Sequence, residues 1–153
     1  MIPELTAEYA EWLVDFRRRL HRIPELSLRE HKTAAAISAM LGELNVPHDS
    51  GIAGNGIVAR LKADRPGPVV AFRADMDALP IQEETGLPFA SEHPGAMHAC
   101  GHDAHMAVAV GIIRWLVESR WAEQGCGELI FIFQPAEEGE GGARQMLESG
   151  YFE

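Results

Sequence analysis

The run His98-Ala-Cys100-Gly-His102-Asp103-Ala-His105 carries a side chain able to coordinate a metal at five of its eight positions. Thiolate and imidazole are donors that hold zinc-like divalent ions, so the run reads as part of a metal site. A later stretch, Gln134-Pro135-Ala136-Glu137-Glu138-Gly139, adds an acidic pair. A structural zinc site needs a closed four-donor set, and the only other thiol, Cys126, stands alone. A set mixing cysteine, histidine and carboxylate is more often open, with water or substrate completing the coordination, which points to catalysis. For Cys100 by itself an inert buried thiol is the commoner reading, and its histidine neighbours favour a ligand instead. For Glu137 and Glu138 by themselves the alternative is a solvated acidic loop. A cysteine hydrolase with Cys100 as nucleophile and His102 or His105 as base is chemically possible, but leaves the glutamate pair without a role.

The elements that must hold these side chains follow from hydrophobic spacing. From Thr6 to His21, Tyr9, Leu13, Phe16 and Leu20 recur at steps of three and four, predicting an amphipathic helix that Pro24 stops. Arg17, Arg18 and Arg19 complement the negative end of its dipole and read as a solvated face. Ser27 and Glu30 have the spacing of a capping box, which predicts a second helix starting there. Ile37, Met40, Leu41 and Leu44 form its buried stripe, and Asn45 and Pro47 end it. Residues 57–61 and 69–73 read as strands, with a hairpin through 64–68 as the simplest connection.

The second of these strands runs into Asp75 and Asp77. Loops beyond strand ends in α/β sheets present polar groups to ligands, and turn or capping hydrogen bonds are the equal alternative for both carboxylates. Residues 104–117 are apolar almost all round and predict a deeply buried helix, a rigid mount for Cys100 and His102 in the loop leading into it. His105 falls in its second turn, suited to packing or to a hydrogen bond onto a ligand rather than to coordination. Residues 127–134 are apolar on both sides, hence a central strand, which Pro135 ends. Glu137 and Glu138 emerge there with diverging side chains, so one can bind metal while the other reaches the water beside it. A short helix follows from Ala143 toward Ser149. His21, His31 and His48 lie outside any donor cluster and read as packing or surface residues.

Composition bounds the partners. With 153 residues, 46% apolar and 24% charged, the chain suits one domain with its own core. Thirteen basic against 23 acidic residues give a formal charge of −10, which repels phosphate backbones and anionic membranes, so neither nucleic acid nor a membrane is an expected partner. The start is not a basic segment followed by an apolar run, and no stretch approaches membrane-span length; the expected compartment is the cytoplasm. Two cysteines suit thiol or ligand roles in such a reducing compartment.

Four motifs in this order resemble the aminoacylase, hippurate hydrolase and auxin-conjugate amidohydrolase group of dinuclear metallopeptidases. They are Leu20-His-Arg-Ile-Pro-Glu-Leu26, Phe72-Arg-Ala-Asp-Met-Asp-Ala-Leu-Pro80, Met97-His-Ala-Cys-Gly-His-Asp-Ala-His105 and Phe133-Gln-Pro-Ala-Glu-Glu-Gly139. The resemblance implies an α/β fold with a mixed sheet flanked by helices, and hydrolysis of the amide bond of N-acyl amino acids or small peptides. It implies two divalent ions (Zn, Mn, Co or Ni), with Cys100 as a thiolate able to bridge them and His102 and Glu138 as further metal ligands. Glu137 is then the catalytic base, moving a proton from the attacking water to the departing amine. Asp75 and Asp77 match a His-x-Asp pair of the wider superfamily, so His102 is expected to supply the imidazole and Asp77 to act catalytically from behind the ligands.

The resemblance further implies that residues 1–153 are the first section of a catalytic domain. An inserted smaller domain carrying dimer contacts and closing over substrate, the rest of the catalytic domain and two further histidine ligands would lie beyond. The complete protein is expected to be a homodimer. By itself the 153-residue chain is expected to be inactive, with an uncovered sheet edge and an exposed apolar face. The alternative is a truncated, non-catalytic relative that binds metal weakly or pairs with a full-length subunit.

Overall fold

A computed structural model describes residues 6–152. The elements are α1 (Ala7–Arg22), α2 (His31–Glu43), β1 (His48–Ile52), β2 (Gly56–Lys62), β3 (Val69–Asp75), α3 (His102–Glu118), α4 (Trp121–Gln124), β4 (Glu128–Gln134) and α5 (Gly142–Glu148). The strands form one mixed sheet in the order β1-β2-β4-β3 with helices on its faces, the α/β arrangement expected.

Helix α1 starts where Thr6 accepts the Tyr9 N–H at 3.2 Å and ends just before Pro24, burying Tyr9, Phe16 and Leu20. Helix α2 starts later than the capping-box spacing suggests. Its first helical residue is His31; the side chain of Glu30 does not cap it, and the Glu25 carboxylate accepts the first-turn N–H groups of Lys32 and Thr33 instead. Ser27 and Glu30 are engaged elsewhere: Ser27 donates to Asp77, and Glu30 accepts from Leu28, Ala136 and Asn55. Glu30 is fully buried, and a carboxylate inside a protein must find its donors there rather than at a helix end.

The expected hairpin between residues 57–61 and 69–73 does not form. β2 pairs antiparallel with β1 and β4, and β3 pairs parallel with β4. β4, apolar on both sides, inserts between the two because a strand buried on both faces belongs at the centre. The hairpin that does form joins β1 to β2 through Ala53 and Gly54, both with positive φ. The β1 residues His-Asp-Ser-Gly-Ile carry little β-branched or alternating signal, so the strand was not expected.

One sheet face packs against α1, α2 and α3. Phe16, Leu20, Ile37, Leu41, Val110 and Ile113 meet Ile57, Ala59, Phe131 and Phe133 in a single core. Truncating the fully buried Phe133 to alanine would cost about 3–5 kcal/mol through lost transfer energy and the cavity left behind. On the other face Met146 of α5 covers Val58, with Ile130 and Ile132 partly buried beside them. α3 is not buried all round: Val108 is 46% exposed. Among the described residues β3 has no partner beyond β4, and Val69, Val70 and Phe72 are exposed along it, an uncovered edge as expected. Among the described residues no helix is long and apolar enough to cross a membrane.

Candidate metal centre

The parallel pairing of β3 and β4 sets their C-terminal ends side by side, with Asp75 opposite Gln134. Such a pairing needs a crossover, and this one contains α3. The chain leaving β3 therefore carries Asp77, the chain leaving β4 carries Glu137 and Glu138, and α3 brings His102 to the same end.

Asp77 organises the three. Its side chain is buried, with Oδ1 accepting the Glu137 N–H at 3.0 Å. Oδ2 accepts the Glu138 N–H at 3.0 Å and the Ser27 hydroxyl at 2.7 Å. Its backbone carbonyl lies 2.8 Å from Nδ1 of His102. Burial alone would raise the Asp77 carboxyl. The donors from His102, the Glu138 amide, Ser27 and the Glu137 amide outweigh it and hold the group well below the usual carboxylate range. Asp77 thus does bind backbone amides, but those of a remote loop rather than of its own turn.

His102 is buried, and the Nδ1–H bond to the Asp77 carbonyl leaves Nε2 as its free lone pair. Nε2 lies 3.7 Å from Glu138 Oε1 and 3.9 Å from Glu137 Oε2. Burial opposes charge on the ring, but Asp77, through its carboxylate and carbonyl, raises the imidazole above its ordinary value.

Cys100, His102 and Glu138 each offer one ligand atom within 4.8 Å of the others. Gly101, with φ +87°, makes the left-handed turn that swings Cys100 away from the start of α3. On the opposite side Ala136 also has positive φ, and Gly142 lets the loop double back. A Cβ there would sit 1.7 Å from the Pro135 carbonyl oxygen. Cys100 is exposed, which removes the reading of an inert buried thiol. A hydrogen bond to Glu138, then burial and the neighbouring carboxylates, raise its thiol above the ordinary value. An activated cysteine nucleophile needs the opposite, a thiolate stabilised by nearby positive charge. One thiol, one imidazole nitrogen with its other nitrogen anchored, and one carboxylate fit an open zinc-like centre.

Asp75 and His105 form a second group around His102. Asp75 Oδ2 lies 3.5 Å from His105 Nδ1, and Asp75 Oδ1 is 3.2 Å from the Arg73 guanidinium without a hydrogen bond. His105 does not pack inward: its side chain is half exposed and its ring stacks on His102 at 5.4 Å between centroids. Behind the site, buried Asp103 holds Arg17 and, at 2.7 Å, His21 Nδ1, while His21 Nε2 lies 3.3 Å from Glu83. Arg17 is therefore not part of a merely solvated face, and His21 is packed by polar contacts. Sequence spacing missed Ser27 and Glu30 as neighbours of the site, because the capping-box reading already accounted for both.

An α/β sheet with cysteine, histidine and carboxylate donors converging beyond parallel strand ends defines the class: a domain with an open metal-type centre. Residues 71–153 match peptidase family M20/M25/M40, and the chain belongs to that family, as its motifs imply. It is 49% identical over 143 residues to N-acetyldiaminopimelate deacetylase of Halalkalibacterium halodurans, covering 92% of this chain and 37% of that protein. To thermostable carboxypeptidase 1 of Saccharolobus solfataricus it is 42% identical, covering 94% and 37%. The YXEP protein of Bacillus subtilis, described as a dinuclear metal binding peptidase of the M20 family, superposes with a TM-score of 0.89 at 45% identity, covering 95% of this chain and 40% of that one. The chain thus spans somewhat over a third of the length of the curated relatives it matches.

Proposed function

We propose that this chain carries the metal-binding and proton-transfer half of an amidohydrolase active site that cleaves the amide bond of N-acyl amino acids or small peptides. The observation that carries the reading is the convergence of Cys100, His102 and Glu138 within 4.8 Å, with Glu137 beside them. Relatives named as a deacetylase of an N-acetylated amino acid and as a carboxypeptidase support the substrate class. The structural relative described as dinuclear supports two divalent ions in the complete protein, of the Zn, Mn, Co or Ni group that this donor set accepts.

Cys100, His102 and Glu138 would hold the metal, which when bound polarises the scissile carbonyl and acidifies the attacking water. Glu137 takes the proton from that water and returns it to the departing amine, so the products are a carboxylic acid and a free amine. Its side chain is 36% exposed and lies 3.9 Å from the imidazole nitrogen that Glu138 also approaches, which supports a role next to the ligands. Asp77 is a positioning residue: its carboxylate fixes the Glu137 and Glu138 amides and its carbonyl fixes the His102 ring. These three donors with water would hold one ion, and a second would need further ligands, the histidines that the resemblance implies beyond residue 153. The proposal includes dimer contacts from that part and a cytoplasmic homodimer, a compartment with which two exposed, unpaired cysteines agree.

A second reading, metal binding without turnover by the 153-residue unit, is favoured by the exposed β3 edge and by the 37% of the relatives' length that the chain covers. The test is hydrolysis of N-acetyl amino acids by the complete protein after chelation and re-addition of Mn²⁺, Co²⁺ or Zn²⁺. Activity restored by metal supports the proposal; activity indifferent to chelator but lost on alkylation of Cys100 overturns it.

A further inference from the structure

We infer that Glu30 is a positioning residue of the metal site, gripping the Ala136 amide so that Glu137 and Glu138 leave the end of β4 aimed at His102 and Cys100. The inference rests on the reading of that site as a metal centre. Three consecutive amides, those of Ala136, Glu137 and Glu138, each donate to a buried carboxylate: the first to Glu30 Oε1 at 2.8 Å, the next two to Asp77 at 3.0 Å. The loop is thus held from both sides, one carboxylate coming from the start of α2 and the other from the end of β3.

The grip has something to hold. Ala136 has φ +52°, a left-handed conformation that costs a non-glycine residue about 1–2 kcal/mol, and it is the residue that turns the chain off the strand toward Glu137. Releasing its N–H would leave a fully buried donor unpaired and free the turn to relax.

The chemistry of Glu30 matches this task and no ion pair. It is 0% exposed, and among the described residues its partners are the donors of Leu28, Ala136 and Asn55. A carboxylate is acceptor-only, so two oxygens can serve three donors at once. Aspartate keeps the charge but falls short by one methylene. Glutamine keeps the reach and one acceptor oxygen, and Asn55 can flip its amide to meet the new NH₂.

The experiment titrates the 153-residue protein with Co²⁺, reading the thiolate-to-cobalt absorption band, for wild type, Glu30→Gln and Glu30→Asp, at a temperature where circular dichroism shows each folded. Wild type is expected to bind with a band that Cys100→Ala abolishes. Glu30→Gln should bind within about threefold of wild type, and Glu30→Asp about tenfold or more weaker with an altered band, the loss typical when a group supporting a ligand is removed. A merely structural role would lower the melting temperature and leave cobalt affinity and band unchanged. Wild-type affinity and band in Glu30→Asp overturn the inference while leaving the metal centre intact; so does a loss in Glu30→Gln alone, which would make charge rather than reach the property that matters. Absence of any Cys100-dependent band in wild type instead overturns the metal centre itself. If Glu30→Asp does not fold, amide hydrogen exchange in the wild type decides: an Ala136 N–H protected as strongly as the amides of β4 supports the grip, and an unprotected one overturns it.

Discussion

The backbone carbonyl of Asp77 sits 2.8 Å from Nδ1 of His102, while the carboxylate of the same residue accepts the amides of Glu137 and Glu138. One residue therefore sets the ring of one proposed ligand and the loop of another. Asp77→Ala removes the carboxylate but not the carbonyl, so it should loosen the glutamate loop more than the imidazole. The expected result is a fall in metal affinity of about 10–100-fold, measured by competition with a chromophoric chelator. Unchanged affinity would mean that the loop needs no such anchor.

Glu137 and Glu138 are adjacent in sequence and differ in assigned work. Glu137→Gln in the complete protein should lower kcat by about 10²–10⁴-fold, the usual contribution of a positioned base, with metal content unchanged. Glu138→Gln should instead lower metal content. Parallel kinetics and elemental analysis separate the two, and a Glu137→Gln enzyme of normal kcat would remove the base from this position.

His98 offers a pH test independent of activity. It is buried, neither ring nitrogen has a hydrogen-bond partner among the described residues, and burial, the largest cause, pushes its pKa down from 6.5 to about 4. Because the folded-state value is the lower one, the unfolded chain binds more protons as the pH falls. Stability from the neutral ring is thus fully present above 6.5 and lost progressively down to about pH 4. The loss attributable to this residue is of order 3 kcal/mol by pH 4. His98→Gln should flatten the stability profile in that window; identical wild-type and variant slopes in urea unfolding between pH 6.5 and 4 would contradict it.

The sequence made some of this legible and hid the rest for physical reasons. Cys100, His102, Glu137 and Glu138 stood out because unusual residue types were packed into short runs, and short runs travel intact into a fold. Strand β4 was legible as central because a strand apolar on both sides has nowhere else to go. The pairing of β3 with β4 was not, since the short 64–68 connection favours a local hairpin and only the tertiary core selects the crossover. Glu30 was hidden for a related reason. Its spacing to Ser27 satisfies a local capping pattern, while its actual donors include Asn55 and Ala136, the latter 106 residues away. Likewise the apolar run 104–117 promised burial all round, but Val108 lines an open cavity with Phe72 and Arg73 of the edge strand β3 and is left 46% exposed there.

The most direct test of the central claim is elemental analysis of the purified chain dialysed against Zn²⁺ without chelator, side by side with Cys100→Ala and Glu138→Gln. The account predicts a stoichiometric divalent ion in wild type, lost when either donor is removed. Wild type without bound metal, or metal retained equally in all three proteins, would contradict a centre built from Cys100, His102 and Glu138.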